Sequence, residues 1–380
     1  MRRLAINRLR QRRPVDEAAI DRFLQRNTVP IVEGSRCTFC FRGNADEVWV
    51  RHRIVGQPQR VSMRRLGETS LWFAVLELPE GSRVEYQIEV RHGDHYEQGN
   101  DPLNPHVANS PVGSSSVCAA AGYVVPDWVS PDPEARPGEI HDLPVSSKAL
   151  RRDVPCRVYL PARFSDVQSY PVLIVHDGDD YLNYAAMKTV LDNLIHRLDM
   201  AETVVVFTNP GHRNTEYANS SRHARFIAAE LLPLLEERFP LITKPSGRCL
   251  MGASFGAVAS LSTAYRYPDL FGSMLLQSGS FVFTDIGEDH GGGEVFDPVV
   301  RFMNRYRSHP RKVAERAFIS CGVYEPLIVQ NRSMIPVFNE TGMQIKYVEA
   351  RDGHSWEDWR DRLGEGLSWI YPGPQKYYYE

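Results

Sequence analysis

The sequence lacks an excess of charge of either sign. Its 380 residues include 44 Lys and Arg against 47 Asp and Glu, which leaves a formal net charge of −3 at pH 7. Nucleic-acid binding needs a concentrated positive field, so this balance predicts that nucleic acid is not a partner. Hydrophobic residues make up 42% and charged residues 24% of the chain. These values are typical of globular proteins and exclude a disordered or collagen-like chain.

Long hydrophobic runs are also lacking. No stretch approaches the roughly 18 apolar residues that a membrane span needs. The opening stretch MRRLAINRLRQRRP has six Arg among its first fourteen residues and no apolar core of signal-peptide length. We therefore expect no membrane partner and a cytoplasmic location, and we interpret the Arg-rich arm as a solvated helix start or a disordered tail. The sequence leaves the oligomeric state open, with a homo-oligomer among the alternatives.

Cysteine is scarce and lacks a metal-binding spacing. Cys37 and Cys40 are followed neither by a second pair nor by a His pair at a zinc spacing. Both lie in an alternating segment typical of a strand, where cysteines act as small buried hydrophobes. The adjacent carboxylates Asp179 and Asp180 have no further ligand at a supporting spacing. The sequence thus predicts no metal site and no cofactor.

Changes in composition predict the domain organisation. Residues 1–28 form a basic, partly helical lead-in, with apolar side chains at helical spacing in its second half. Residues 29–125 contain short β-rich segments punctuated by Gly and Pro, a pattern typical of a β-sandwich. Four prolines lie between residues 126 and 138, which predicts an extended linker. Residues 139–380 then form a second domain.

Beyond residue 139, continuous apolar runs alternate with helical patterns. Runs without apolar–polar alternation predict strands buried on both faces, and strand–helix alternation predicts a mostly parallel sheet with helices on both sides. The predicted strands are 170–176, 203–207, 248–251, 273–277, 317–321 and 345–348, and the predicted helices are 225–239, 257–267 and 357–370. The predicted fold class is therefore α/β, with a smaller all-β sandwich domain in front.

The motif Gly252-Ala253-Ser254-Phe255-Gly256 is the most informative chemical signal. It follows a predicted strand directly and precedes a predicted helix, which is the context of a nucleophile elbow. The flanking glycines avoid clashes between strand and helix, so that the Ser254 hydroxyl projects above the sheet edge. The backbone N–H of Phe255 is then expected to face a developing oxyanion. An incidental serine in a tight strand–helix turn is the alternative.

A nucleophilic serine needs a base and an acid. His354 follows the last apolar strand, as the order of an α/β-hydrolase triad requires, and we predict that it is the general base. The acid that orients the imidazole is expected in the loop after the penultimate strand, where Glu325 is the first choice. Asp352, two residues from the histidine, remains an alternative. Glu349 and Asp358 are weaker candidates, interpreted as strand-end and helix-surface charges.

Other loops contribute candidates for binding the substrate. A turn after the first long apolar strand is expected to aim the backbone N–H of Asp179 at the same oxyanion. Arg213 is a candidate contact to a substrate oxygen, with a structural pair to Glu216 as the alternative. Trp356 is a candidate wall for an aromatic acyl group, with plain packing as the alternative. The Gly-rich segment that starts at Thr284 is interpreted as a lid or as an ordinary surface loop.

Several of these motifs together resemble a known family. The segments YPVLIVHDG from 170, GHRNTEY from 211, ELLP from 230, GASFG from 252 and GHSWEDW from 353 are similar to the esterase D-type serine esterases, and most of all to the enterochelin (ferric enterobactin) esterases. The resemblance covers roughly residues 140–370. Residues 100–105, NDPLNP, resemble the end of the immunoglobulin-like (E-set) domain that precedes the catalytic domain in enterochelin esterases.

This resemblance implies an α/β-hydrolase fold behind an E-set domain. It implies Ser254 as the nucleophile, His354 as the base and Glu325 as the acid of a serine carboxylic-ester hydrolase without a cofactor. The expected substrate is a small-molecule ester, first a siderophore-like trilactone and second a carbohydrate, feruloyl or acetyl ester. The alternative to an enzyme is a binding protein, in which a non-catalytic hydrolase-fold module binds a glucan.

Overall fold

The computed structural model describes residues 4–12, 14–284, 290 and 292–374. The chain divides into two compact units. The first contains the chain up to Val125 together with two later segments, Gly322–Glu325 and Ala350–Ser355. The second contains Pro126–Cys321, Pro326–Glu349 and the chain from Trp356 onward. Residues 1–3 of the Arg-rich arm, Arg13 and most of the Gly-rich segment that follows Thr284 lie outside the described residues.

The first unit contains two helices and two antiparallel sheets among the described residues. Its elements are α1 (Ala5–Arg10), α2 (Glu17–Arg26), β1 (Ile31–Glu33), β2 (Arg36–Arg42), β3 (Glu47–His52), β4 (Arg60–Ser62), β5 (Arg64–Arg65), β6 (Leu71–Glu77), β7 (Arg83–His92), β8 (His95–Gly99), β9 (Val107–Ser110) and β10 (Gly113–Ala119). One sheet has the order β1-β2-β6-β5, and the other has the order β4-β3-β7-β10-β9, with β8 paired to β7. Apolar side chains of both sheets, among them Phe39, Val50 and Ile88, form a shared buried core.

The basic lead-in contributes apolar side chains to a core of its own. The side chain of Asp16 caps α2 by accepting the Ala19 N–H at 2.8 Å. Ile6 and Leu9 of α1 are buried together with Ile20 of α2. The alternative of a disordered tail is therefore wrong for Ala5–Arg10, because its apolar side chains find a partner surface.

The second unit contains one mixed sheet flanked by helices. Its strands are β11 (Glu139–Ser147), β12 (Arg152–Leu160), β13 (Val172–His176), β14 (Val204–Thr208), β15 (Arg248–Ala253), β16 (Ser273–Gln277), β17 (Arg316–Gly322) and β18 (Gln344–Ala350). Their order is β11-β12-β14-β13-β15-β16-β17-β18. The pairs from β14 through β17 are parallel, whereas β11, β12 and β14 are joined antiparallel. The predicted α/β fold with a mostly parallel sheet is confirmed.

Helices connect these strands. They are α3 (Gly178–Tyr184), α4 (Met187–His196), α5 (Arg213–Tyr217), α6 (Ser221–Arg225), α7 (Leu232–Arg238), α8 (Phe255–Arg266), α9 (Asp297–Ser308), α10 (Ile328–Glu340) and α11 (Trp356–Ile370). The single helix predicted over 225–239 is interrupted by a π-helical stretch, Phe226–Leu231, in which the Leu232 N–H reaches back to the Ile227 carbonyl. Pro233 has no N–H to donate, which explains why the regular ladder shifts at this point.

The proline-rich segment before β11 is part of the second unit and packs on two of its helices. The side-chain amide of Asn193 in α4 donates to the carbonyls of Trp128 and Ser130 at 2.8 and 2.7 Å. The Trp128 ring occupies the space next to Gly364 of α11, where a Cβ would lie 2.6 Å from it. The glycine therefore allows this close approach. Across the part of the chain that the structure describes, no helix is both long and apolar enough to cross a bilayer.

Candidate active site

Ser254 lies at the junction between β15 and α8 in a strained backbone conformation. Its φ is +57° and its ψ is −118°, a region that residues other than glycine rarely adopt. Such strain persists only where the surrounding structure fixes it, and it concentrates at functional sites. The backbone N–H of Ser254 is bonded to the Gln277 carbonyl at 2.9 Å, and its own carbonyl accepts from Ser280 at 3.2 Å. The chain thus makes the sharp turn that a nucleophile elbow requires.

Two glycines make this turn sterically feasible. A Cβ on Gly252 would lie 2.5 Å from the backbone carbon and oxygen of Gly256, a distance that no real side chain occupies. On Gly256 itself, a Cβ would lie 3.3 Å from the Cβ of His176. Gly252 is therefore required for strand and helix to pass each other, whereas a larger residue at 256 would need its neighbours to shift by a few tenths of an ångström.

The hydroxyl of Ser254 has a second hydroxyl as its neighbour. Its Oγ lies 3.1 Å from the Oγ of Ser280, in the loop after β16. Phe255 is the first residue of α8, where a backbone N–H has no acceptor within the helix. An N–H at this position, next to the hydroxyl and at the positive end of the helix dipole, is suited to hold a developing negative charge. Sequence reasoning missed Ser280, although its place after a predicted strand was a signal.

An ion pair lies directly against the elbow. Nε of Arg213 is 2.9 Å from Oδ1 of Asp177, and its Nη2 is 2.7 Å from Oδ2. The same Nη2 donates to the carbonyl of Ala253, the residue before the serine, at 3.3 Å. Asp177 is buried, has a left-handed φ of +56° and precedes α3. The guanidinium therefore bridges the turn after β13 and the elbow.

The alternative that Arg213 pairs with Glu216 is wrong. Glu216 binds Arg152 instead, with 2.8 Å between Oε2 and Nη2. Arg213 is bonded to Asp177 and to the Ala253 carbonyl. These bonds support a structural role for Arg213 rather than the predicted contact to substrate. Asp180 lies near this pair, and burial followed by the charge of Asp177 raises the pKa of its carboxyl group to about 6.

The backbone N–H of Asp179 has an acceptor within the protein. It donates to Oδ1 of Asn209 at 3.0 Å, and the amide nitrogen of Asn209 donates in turn to the Pro155 carbonyl at 3.3 Å. The predicted oxyanion role of Asp179 therefore requires this N–H to be shared with Asn209 or released by it. Asn209 follows the end of β14 directly, which is a signal that sequence reasoning overlooked.

Two buried histidines lie beside the elbow. Nδ1 of His176 contacts the Met251 carbonyl at 2.9 Å, and its Nε2 lies 3.0 Å from Nε2 of His223. A carbonyl can only accept, so Nδ1 of His176 carries the proton, and the proton between the two rings belongs to His223. Burial is the main reason that the pKa of His176 is lowered to about 4 and that of His223 is also lowered. Both rings are therefore neutral near pH 7.

His354 and Glu325 contact each other in the first unit. Nδ1 of His354 lies 3.0 Å from Oε2 of Glu325, and the carboxylate is fully buried. Asp352 instead faces Arg83, with 3.0 Å between Oδ1 and Nη1. Glu349 is paired with Arg332 at 2.7 Å. Of these three carboxylates, Glu325 is the one that contacts the imidazole.

Trp356 is placed in the core of the second unit. Its ring packs edge-on against Tyr181 and Trp359, with centroids 5.1 and 4.7 Å away. Only 9% of its surface is exposed. These contacts support the alternative that Trp356 packs between α3 and the rest of α11. Within the described residues, no three His, Cys, Asp or Glu side chains cluster closely enough to hold a metal ion.

Comparison with known proteins identifies the family. The Esterase family model matches residues 147–370, which is more than half of the chain. An uncharacterized protein of Bacillus subtilis (strain 168), YjcH, is 31% identical over 148 residues, which cover 37% of this chain and 62% of YjcH, less than two thirds of its length. The iron(III) enterobactin esterase of Escherichia coli (strain K12) is 24% identical over 83% of this chain and 82% of that protein.

A solved structure shows the same fold. The crystal structure of ferric enterobactin esterase from Salmonella typhimurium matches with a TM-score of 0.74 and 20% sequence identity, and the match covers 88% of this chain and 93% of that one. The fold similarity thus extends over nearly the whole length, whereas the family match covers the part that contains the elbow. The chain belongs to the Esterase family and is a carboxylic ester hydrolase.

Proposed function

We propose that the chain cleaves its ester through an acyl-enzyme on Ser254, with His354 as general base and Glu325 as the acid that orients it. The observation that carries the proposal is the strained conformation of Ser254 between β15 and α8. The contact between Glu325 and His354 supports the assignment of the acid. Sheet topology also supports it, because the loops that contain Glu325 and His354 follow β17 and β18 of the sheet that carries the serine.

In the first half-reaction the Oγ of Ser254 attacks the ester carbonyl carbon. The hydroxyl proton passes to Nε2 of His354, while the carbonyl electron pair moves onto the oxygen and forms a tetrahedral oxyanion. The buried carboxylate of Glu325 accepts the Nδ1–H and stabilises the imidazolium. When the tetrahedral intermediate collapses, the bond to the alcohol breaks, and the leaving alkoxide takes the proton from His354.

In the second half-reaction water replaces the alcohol. His354 removes a proton from the water as it attacks the acyl carbon, and a second oxyanion forms and collapses. The acid is released, and the Ser254 oxygen regains its proton from the imidazolium. The N–H groups of Phe255 and Asp179 are the proposed oxyanion donors, each worth about 2.7–4 kcal/mol in comparable sites.

The proposed substrate is a siderophore-like trilactone ester. The proposal rests on the similarity to the iron(III) enterobactin esterase, which extends over 83% of this chain and so includes residues outside the Esterase match. Each ester bond of such a macrocycle would consume one water and release one hydroxyl and one carboxylate. Feruloyl, acetyl and carbohydrate esters are the competing substrates, and a glucan-binding module without chemistry is the competing class. The expected cytoplasmic location remains a prediction that cell fractionation tests.

Ser254→Ala tests the chemistry. We expect the variant to fold and to lose activity on p-nitrophenyl butyrate by at least about 1,000-fold, because the nucleophile is gone. A fluorophosphonate should add its mass to the wild-type protein and not to the variant. The matched control is Ser262→Ala, which removes a buried hydroxyl from the same helix and should leave activity unchanged. Full activity of Ser254→Ala contradicts the proposed mechanism.

A panel of esters tests the substrate. Ferric and iron-free enterobactin, a feruloyl ester and an acetylated sugar are incubated with the wild type and with Ser254→Ala, and the products are separated by chromatography. We expect the trilactone to be opened with the highest kcat/KM. Faster cleavage of the feruloyl or acetyl ester would move the assignment to that class. Glucan retention without turnover of any ester would favour the binding module.

A further inference from the structure

The loop that carries His354 is fastened within the first unit by a buried guanidinium. Arg83 begins β7, and 1% of its side chain is exposed. Its Nη1 lies 3.0 and 3.1 Å from the two carboxylate oxygens of Asp352 and 3.2 Å from the Oγ of Ser355. One cation thus contacts the residues on both sides of the Gly353-His354 dipeptide.

Further bonds hold the same loop. The backbone N–H of Arg83 donates to the carbonyl of Arg351 at 2.9 Å. The carboxylate of Asp352 also accepts the N–H of Gly353 at 2.7 Å. The Nη2 of Arg83 donates to Oε1 of Glu85 at 3.0 Å, which gives the guanidinium a second carboxylate partner on its own strand. Residues 351–355 therefore have a fixed backbone path wherever Arg83 is in place.

The loop that carries Glu325 is fastened to the same strand region. The N–H of Tyr324 donates to the Asp352 carbonyl at 3.0 Å, and the phenol oxygen of Tyr324 lies 2.6 Å from the Oγ of Ser82. A Cβ on Gly322 would lie 2.4 Å from the Asp352 carbonyl oxygen, so the two loops approach more closely than any other residue would allow. The loop that carries Glu325 is thus bonded to Asp352, which belongs to the loop that carries His354.

We propose that Arg83 is a positioning residue for the His354–Glu325 pair. The inference rests on the proposed function, since it assigns Arg83 to the support of the base named there. Arg83 acts through Asp352: the ion pair fixes the loop, and the loop fixes the distance from the imidazole to Glu325.

The His354–Glu325 pair tolerates little displacement. A displacement of about 1 Å in a catalytic group costs on the order of 100-fold in rate. A loop can shift by this much unless buried groups hold it in place. The guanidinium of Arg83 holds the His354 loop, because it is bonded to both Asp352 and Ser355. A lysine in place of Arg83 keeps the charge but not the planar array of donors, so it should support the loop only in part.

The test compares Arg83→Met and Arg83→Lys with the wild type on p-nitrophenyl butyrate. We expect Arg83→Met to lower kcat by roughly 10- to 100-fold with little change in KM, and Arg83→Lys to fall between it and the wild type. We also expect the acidic limb of the pH profile of kcat/KM to move to lower pH in Arg83→Met, because an imidazolium that has lost Glu325 is less stable. If Arg83 only stabilised the fold, the folded Arg83→Met protein would keep the kcat of the wild type and the same acidic limb of the kcat/KM profile.

Arg248→Met is the matched control. Arg248 is a buried arginine bonded to Glu236 at 2.9 Å, at the start of β15 and far along the strand from Ser254. The Arg248→Met substitution should destabilise the fold about as much as Arg83→Met does, while the kcat of the folded protein stays unchanged. If Arg83→Met does not fold, a several-fold loss of kcat in folded Arg83→Lys supports the inference, and a wild-type kcat in it overturns the inference.

The two proposals fail in different ways. Wild-type kcat and an unchanged pH profile in folded Arg83→Met, together with an inactive Ser254→Ala, overturn the positioning role and leave the proposed function intact. Activity in Ser254→Ala overturns the proposed function itself, whatever Arg83 does.

Discussion

The Nδ1 of His354 lies 3.0 Å from the Oε2 of Glu325, whose side chain has no exposed surface. A carboxylate accepts hydrogen bonds and does not donate them, so this contact places the ring proton on Nδ1. The lone pair of Nε2 is then available to take a proton. The contact also distinguishes Glu325 from Asp352, which stands closer in sequence to the histidine and faces Arg83.

Glu325→Gln is expected to lower kcat by roughly 100- to 10,000-fold on p-nitrophenyl butyrate. The amide can donate a proton to Nδ1, which favours the wrong tautomer of His354, and it no longer stabilises the imidazolium. Steady-state kinetics measures the loss, and circular dichroism checks the fold. Glu349→Gln is the control, since that carboxylate is bonded to Arg332 and should leave kcat unchanged. A kcat within twofold of the wild type in Glu325→Gln would exclude Glu325 as the acid.

Gly252→Ala is expected to damage the elbow. The added Cβ would meet the backbone of Gly256 at 2.5 Å, and backbone atoms cannot move away as a flexible side chain does. We expect the free energy of unfolding to fall by roughly 2–3 kcal/mol, with a loss of kcat because Ser254 is displaced. Urea unfolding measures the first effect. Gly99→Ala, where a Cβ meets nothing within 4 Å, should change neither quantity by much.

Arg213→Met is expected to act on stability rather than on substrate binding. Removing the guanidinium leaves the buried carboxylate of Asp177 unpaired, which should cost about 3 kcal/mol, the lower end for a buried pair because 34% of the arginine side chain is exposed. In a double-mutant cycle with Asp177→Asn, much of this loss should disappear. A large rise in KM with unchanged unfolding would restore Arg213 as a substrate contact.

The His176–His223 pair predicts a pH dependence of stability. Burial lowers the pKa of His176 to about 4 and lowers that of His223, while both histidines in the unfolded chain titrate at about 6.5. Between pH 6.5 and about 4 the unfolded state therefore binds more protons than the folded state. The free energy of unfolding should thus fall as the pH falls, by up to ~1.4 kcal/mol per pH unit for each histidine.

Urea unfolding at several pH values between 4 and 7 measures this slope. His223→Gln keeps a donor toward Nε2 of His176 but cannot take up a proton, so the slope should become shallower. His212→Gln, which changes an exposed histidine, should keep the slope of the wild type. Equal slopes in all three proteins would show that the buried pair does not couple protonation to folding.

The strands of the second unit could be predicted because they are buried on both faces. Residues 274–276 and 204–207 are continuous apolar runs, and burial on both faces of the sheet explains that pattern. The antiparallel β11 and β12 were not predicted. Their burial alternates along the chain, and polar residues such as His141 and Arg157 weaken the apolar signal. Predicting such strands requires knowing which face of the sheet is buried by other elements.

The elbow could be predicted because its chemistry and its sterics are local. Gly252, Ser254 and Gly256 are close in sequence, and their spacing alone indicates the turn. The partners of Arg213 and Asp179 could not be predicted, because they depend on where three separate loops end. Asp177 and Asn209 come from the ends of different strands, and no sequence pattern determines which of several polar side chains meets which amide.

The Arg83–Asp352 ion pair joins residues that are 269 positions apart. Exchanging the leading β-rich segment for an unrelated one would leave the later loop with an orphaned carboxylate. A chimaera that receives this segment from another protein should therefore be more stable when the loop that contains Asp352 is exchanged with it.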